Sequence, residues 1–313
     1  MIEQKKQNLD KEQYLQRESR RQKIQTLLEP LIYLTPFFLG IIIFTLFPII
    51  NVFFISFREG YKMLSKEFTQ YGFGNYQAII QDRYFLISLK NTAIYVFTVV
   101  PISTLISIFF AIFLNKKLKL SSLYQTAFFL PMVTSTVAVG LAWKWMYNYD
   151  YGVFNYFLSL FKIAPINWLN DPNYSLHALI IYGIWSYLPF TIILVLSGLQ
   201  NINPLYITAA KIDGASKLKI FTRITLPLLA PTIGLVLIVN MISASKVFTE
   251  LFPLFSGKPG AAYNLYTMVY YIYELFYVKW RLGHASAAAI ILFLIVLAFT
   301  MLQLLIQRKW KHY

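Results

Sequence analysis

The stretch Asn203-Pro-Leu-Tyr-Ile-Thr-Ala-Ala-Lys-Ile-Asp-Gly-Ala-Ser216, continuing through Lys217-Leu-Lys-Ile-Phe-Thr-Arg-Ile-Thr-Leu-Pro227, is the polar interruption around which the rest of the chain is organised. Asn203 is a good N-cap, and Pro204 suits a first helical position because an amide there would lack a partner anyway. Asp213-Gly214 supplies a turn, and Ser216 can cap a second short helix that ends before Pro227. On the first helix Leu205, Ala209 and Ile212 share a face. Ala209, Ala210, Gly214 and Ala215 leave the corner almost without side-chain bulk, so another protein's surface can approach its backbone. Phe221 and Ile224 read as anchors to the main body. From spacing alone, a docking element and an interfacial helix lying on a bilayer fit equally well.

Apolar runs flank this loop at Leu176–Ser197 and Leu226–Val247, and four more lie at Leu31–Phe57, Leu86–Leu114, Thr126–Tyr147 and Gly283–Gln307. A hydrocarbon core about 30 Å thick is crossed by about 20 residues at about 1.5 Å each, so all six qualify as spans. Composition agrees: 58% of the 313 residues are hydrophobic and 13% charged, with mean hydropathy +0.55. The sequence therefore predicts an all-α polytopic membrane protein with six transmembrane helices over residues 31–307. A tail over residues 1–30 precedes them, residues 308–313 form a second tail, and the loop occupies about 199–225. Pro36, Pro48 and Pro101 deprive carbonyls of amide partners and predict tilted or kinked spans. The first apolar run is far longer than a signal peptide's core and lacks a small-residue cleavage site, so it is read as retained.

The net charge of +15 suggests nucleic acid only if the bases form one face, and they do not. Lys5, Lys6, Lys11, Arg17, Arg20, Arg21 and Lys23 precede the first span. Lys116, Lys117, Lys119, Lys211, Lys217, Lys219, Arg223, Arg308, Lys309 and Lys311 occupy the segments on the same side. The opposite loops are longer and carry fewer bases. The positive-inside rule then puts both termini and the 199–225 loop in the cytoplasm, and the residue usage leans toward a bacterial cell membrane. No nucleic-acid partner is implied, and the N-terminal tail reads as a solvated or interfacial helix.

Several chemistries lack residues. There are no cysteines, and His177, His284 and His312 are scattered, so neither a metal cluster nor a thiol nucleophile is expected. No acid or histidine sits at mid-depth to carry a driving ion; Lys246 and Glu250, one turn apart near the end of the fifth span, are expected to pair locally. The only Gly-Lys pair, Gly257-Lys258, is followed by Pro259, so the phosphate loop of an ATPase is missing. No cofactor is expected in this chain, and it is not expected to be an enzyme.

The segment Ala209-Ala210-Lys211-Ile212-Asp213-Gly214-Ala215, with Phe221, Ile224, Leu226 and Pro227 at the following offsets, resembles the EAA loop of ABC-importer permeases. The resemblance is to the binding-protein-dependent sugar permeases of the maltose and glycerol-3-phosphate type, and extends from about Leu31 to Gln307. Asn91-Thr92, Leu130-Pro131, Trp143-Lys144-Trp145 with Gly152 and Asn155, Trp168-Leu169, Ser256-Gly-Lys-Pro-Gly260, Tyr273 with Phe276, and Gly283-His-Ala-Ser-Ala287 add to it. The resemblance implies a type I importer permease moving a sugar or oligosaccharide by alternating access. It further implies a second related permease, a dimer of P-loop ATPase subunits that bind ATP and Mg, and an extracytoplasmic solute-binding protein. It gives Thr208, Ala209, Ala210, Lys211, Asp213, Gly214, Ala215 and Ser216 the role of a coupling helix on the ATPase. The family usually has Glu where this chain has Thr208, so a charged contact at that position does not carry over. The rival is an ATP-independent carrier or channel.

A solute path is sought among polar groups in spans: Trp185, Ser186 and Tyr187 in the fourth, Asn240, Ser243 and Ser245 in the fifth, and Glu250 beyond it. Helix-to-helix hydrogen bonding accounts for them equally well. Trp143, Trp145, Tyr147, Tyr149 and Tyr151 read as an outer aromatic belt. The long loops after spans one, three and five are expected to fold and to offer a receptor surface.

Overall fold

The computed structural model describes residues 29–116 and 121–310. The N-terminal tail up to residue 28, Lys117, Lys119, Lys311 and His312 lie outside the described residues. In chain order the elements are α1 (Glu29–Ser56), β1 (Arg58–Glu59), β2 (Gln70–Tyr71), α2 (Gly74–Ile80), α3 (Arg83–Leu114), α4 (Ser121–Val133), α5 (Thr136–Met146) and α6 (Val153–Leu160). They continue with α7 (Ser175–Gln200), α8 (Pro204–Ile212), α9 (Lys217–Ala244), α10 (Leu251–Phe255), α11 (Met268–Tyr273) and α12 (Leu282–Trp310). α1, α3, α7, α9 and α12 are each long and apolar enough to cross a membrane.

The third span departs from the expected single helix. α4 and α5 meet at 100° around Thr134-Ser135. Near one end Phe128 of α4 packs on Phe110 of α3, with ring centroids 5.1 Å apart. Near the other, Tyr147 just beyond α5 donates to the Ala178 carbonyl at the start of α7 (2.8 Å). The pair thus has one end toward α8 and the other toward the antiparallel hairpin of β1 and β2, where Arg58 lies opposite Tyr71, the arrangement of a broken span. The polar triplet Thr134-Ser-Thr136, three residues after Pro131, is where the chain gives way.

Prolines elsewhere are absorbed without a break. In both α1 and α9 a π-turn ends two residues before a proline: Ile42–Leu46 before Pro48, and Phe221–Thr225 before Pro227. The wider turn re-pairs carbonyls around the missing proline amide, with Phe47 N bonded to Ile42 O and Leu226 N to Phe221 O. The helix capped by Ser216 therefore does not stop before Pro227, as the sequence suggests, but runs on into the fifth span. Pro101 lies within an unbroken α3.

The chain divides into two units at Ile55 and Ser56. In the first, nearly all described side chains of α1 are exposed. In the second, α3 and α7 form the central pair. Asn91, Tyr95, Val99, Ser103, Ser107 and Ala111 recur every fourth residue on α3 and are all buried. In lipid, close packing of small residues holds such helices together, and Ser103, Ser107, Ala111 and Ala178 provide it. A Cβ on Gly183 would collide with the Tyr95 hydroxyl. Toward the hairpin end the core is aromatic, with Tyr95, Trp143, Tyr147, Tyr182, Tyr266 and Tyr271; toward α8 it is aliphatic, with Ala111, Leu114, Ile192, Val195, Leu229 and Val236.

The three long loops do fold. Asn75 donates to the Ser56 and Arg58 carbonyls (both 3.0 Å), and the Glu59 carboxylate accepts from Gln70 Nε2 and Gly74 N (both 2.7 Å). Asn155 ties the turn after α5 to the chain before α7. It donates to Tyr149 O (2.9 Å) and Ile166 O (3.0 Å), and accepts from Ile166 N (3.1 Å) and Trp168 Nε1 (3.0 Å). Asp82 caps α3 and accepts the Tyr271 hydroxyl (2.8 Å), while Glu274 pairs with Lys279 (2.9 Å) and accepts the Tyr266 hydroxyl.

Candidate functional site

α8 begins where the sequence predicts, with Asn203 Oδ1 accepting the Leu205 amide (3.0 Å) and Pro204 following. It ends in a Schellman motif, with Ala215 N bonded to Ala210 O (2.9 Å), Gly214 N to Lys211 O (3.1 Å), and Gly214 at φ +76°. The position demands a left-handed residue, and the space around Gly214 is open. Ser216 then accepts the Lys219 amide (3.3 Å) and starts α9.

The face shared by Leu205, Ala209 and Ile212 points away from the bundle. Leu205 is 70% exposed and Ile212 81%, with Leu218 of α9 at 72%. Thr208, Lys211, Asp213, Gly214 and Ser216 are exposed as well, and Ala215 is half-buried. Ala210 is a correction: it is buried and turned inward, so its small size lets α8 lie close to its own chain rather than admit another. Phe221 and Ile224 are only half-buried, and the anchor that sequence reasoning missed is the buried Ile220 between them and α8. The Thr208 hydroxyl donates to Pro204 O (3.1 Å), within its own helix.

The expected solute path divides. Asn240 is buried and donates to Thr191 Oγ1 on α7 (2.8 Å), joining two helices, and Ser245 is buried and donates back to Met241 O four residues earlier (2.8 Å). Ser243, Trp185 and Tyr187 are half-buried, and Ser186 is exposed. Glu250 accepts the Phe248 amide (3.1 Å) and lies within electrostatic reach of the Tyr95, Tyr182 and Tyr187 hydroxyls. It forms no ion pair with Lys246, which is exposed, so the expected local pair is absent. The aromatic belt also divides: Trp145, Tyr149 and Tyr151 are exposed, but Trp143 and Tyr147 are buried in the core.

Sequence reasoning missed the break between α4 and α5. Thr134, Thr136, Pro131 and Met132 face Tyr182, Trp185 and Ser186 across a cavity of about 210 Å³. Irregular backbone at mid-depth is tolerated where it lines such a space. The polar triplet inside an apolar run was the available signal. At the hairpin end a second cavity, of about 620 Å³, opens between the turn after α5 and the Ser256–Gly260 loop, where Lys144 donates to Ser256 Oγ (3.0 Å). Nearby, outside the spans, burial and the carboxylates of Glu274 and Asp82 push the hydroxyls of Tyr266 and Tyr271 well above the usual tyrosine range.

Residues 91–312 match the family model for the binding-protein-dependent transport system inner membrane component. The trehalose/maltose transport system permease protein of Thermococcus litoralis is 34% identical over 274 residues, 87% of this chain and 91% of that one. The arabinooligosaccharides transport system permease protein of Bacillus subtilis is 30% identical, covering 90% and 89%. The lactose transport system permease protein of Rhizobium radiobacter is 32% identical, covering 90% and 94%. Among solved structures, a chain of a bacterial ABC transporter involved in the import of the acidic polysaccharide alginate superposes with a TM-score of 0.76 at 25% identity, over 92% of this chain and 96% of that one. The chain belongs to the family of binding-protein-dependent transport system inner membrane components and is a membrane-spanning permease subunit of an ABC importer, a transport component rather than an enzyme.

Proposed function

We propose that this permease imports a sugar or oligosaccharide. The relatives named for trehalose and maltose, arabinooligosaccharides and lactose support that solute class, as does a cavity edged by Tyr182, Trp185 and Ser186, which supply aromatic faces and hydroxyls. The loop of α8, Thr208 through Ser216, docks an ATPase subunit that binds ATP and Mg. The observation that carries this is the outward apolar strip of Leu205, Ala209 and Ile212, held between an N-cap and a Schellman turn.

That assignment puts the α8 end and both termini in the cytoplasm, where the bases cluster, and the hairpin end outside. A solute-binding protein delivers solute to the hairpin end; a solved alginate transporter is in complex with a periplasmic protein carrying an alginate pentasaccharide. A second permease closes the other half of the cavity. ATP binding draws the coupling loops together, and the broken α4–α5 span, with its walls at Tyr182 and Trp185, exchanges access between the two sides.

The test is to tag the chain, extract it in mild detergent and identify by mass spectrometry what accompanies it. Recovery of a second six-span chain and a P-loop ATPase is expected. Purification alone or as a homo-oligomer would overturn the reading in favour of an ATP-independent carrier.

A further inference from the structure

Within the proposed docking role of α8, the chemistry of the surface specifies the chemistry of its partner. Relative to Leu205 on the outward face, a helical step of about 100° per residue puts Ala209 and Ile212 within about 40° of the same line and Lys211 about 120° round from it. Lys217 and Lys219 follow at the start of α9, and all three lysines are exposed. None forms an ion pair among the described residues. The acid in this stretch is Asp213, at the C-terminal end of α8, and the hydroxyl of Thr208 is turned to Pro204 O. The surface thus combines an apolar strip with three exposed lysines close by along the chain.

We infer that the ATPase groove receiving α8 has an apolar floor and an acidic rim, with carboxylates facing Lys211, Lys217 and Lys219. Unpaired lysines beside a buried apolar contact would repel a basic rim and be poorly solvated by a neutral one, whereas carboxylates both steer docking and fix its register. Such a rim makes the association salt-dependent, because the flanking pairs stay near solvent even when the strip is covered.

The inference is tested on the complete transporter with a zero-length carbodiimide, which activates a carboxylate so that a neighbouring lysine amine displaces the urea and leaves an amide. Mass spectrometry should find links from Lys211, Lys217 or Lys219 to Asp or Glu of the ATPase. In parallel, the triple variant Lys211→Glu, Lys217→Glu, Lys219→Glu should retain about a tenth or less of the ATPase while still recovering the second permease, and the wild type should lose ATPase as salt rises from about 0.05 to about 0.5 M. ATPase present without such links, and held equally by the variant at every salt concentration, would overturn the acidic rim and leave the docking role standing. If charge reversal weakened only binding to vesicles containing anionic lipid, the lysines would belong to the bilayer and the inference would fall. Absence of ATPase from the wild-type complex would instead remove the docking reading itself.

Discussion

The two ends of the molecule use polar residues in opposite ways. At the hairpin end Asn75, Asn155, Asp82 and Glu59 direct their donors and acceptors onto their own chain, and Asn155 alone joins two stretches of backbone and an indole. On α8 and at the start of α9 the side-chain bonds of Asn203, Thr208 and Ser216 stay within about one turn, and Leu205, Ile212, Leu218 and the nearby lysines are exposed. Polar side chains at the hairpin end thus hold the chain's own loops in place. The α8 end leaves its apolar strip exposed, as the proposed docking of an ATPase subunit requires.

This contrast predicts that substitutions at one end cost stability and at the other cost coupling. The largest effect is expected from Gly214→Asp. The space is open, so the left-handed conformation adds only about 1 kcal/mol of strain and the chain should remain in the membrane. Solute-stimulated ATP hydrolysis by the assembled transporter should nevertheless fall to background, and retained stimulation would remove the docking role.

Next comes Asn155→Ala, which strands the Ile166 amide, the Trp168 indole N–H and the Tyr149 carbonyl together. A loss of about 2–4 kcal/mol is expected, seen as a lower melting midpoint in detergent with the ATPase still bound. An unchanged midpoint would mean that the hairpin end is not held as described.

Ile212→Ser sharpens the comparison from the other side. The exposed side chain should change stability by less than about 0.5 kcal/mol, yet ATPase recovery should drop several-fold in the same preparation.

The smallest effect concerns Glu59, whose carboxyl is held below its ordinary value by the hydrogen bond from Gln70 and then by that from Gly74. Its folded value lies below the unfolded one, so its support for the hairpin is present above about pH 4.3 and lost as pH falls through the folded value. Hydrogen exchange at the Thr69 and Gly72 amides should quicken over that window, and Glu59→Gln should flatten the change.

Much of this was legible in the sequence because it depends on neighbours along the chain. Span lengths, the Asn203 cap, the Ser216 cap and the shared face of Leu205, Ala209 and Ile212 follow from local spacing alone. What the sequence left open or misread was decided by another segment. Asn240 finds Thr191 across the α7–α9 contact, and Trp143 and Tyr147 are drawn into the core by Phe154, Tyr182 and Trp185 rather than left in a belt. Pro227 reads as a helix stop until the preceding π-turn is seen to carry the helix past it. The 100° break in the third span was visible only as Thr134-Ser-Thr136, a pattern that straight spans also tolerate when a neighbouring helix supplies a partner.

The absence of cysteines allows the contrast between the ends to be tested in one experiment. Single cysteines introduced as Ile212→Cys and as Asn170→Cys, an exposed residue between α6 and α7 that lines the hairpin-end cavity, in otherwise identical complete transporters, are joined to neighbouring proteins with a short bifunctional thiol-to-amine reagent. The account predicts that Ile212→Cys captures the ATPase subunit and Asn170→Cys never does. Capture of the ATPase from Asn170, or its absence from Ile212 in a transporter that contains it, would contradict the claim that the α8 end is where ATP hydrolysis is coupled to transport.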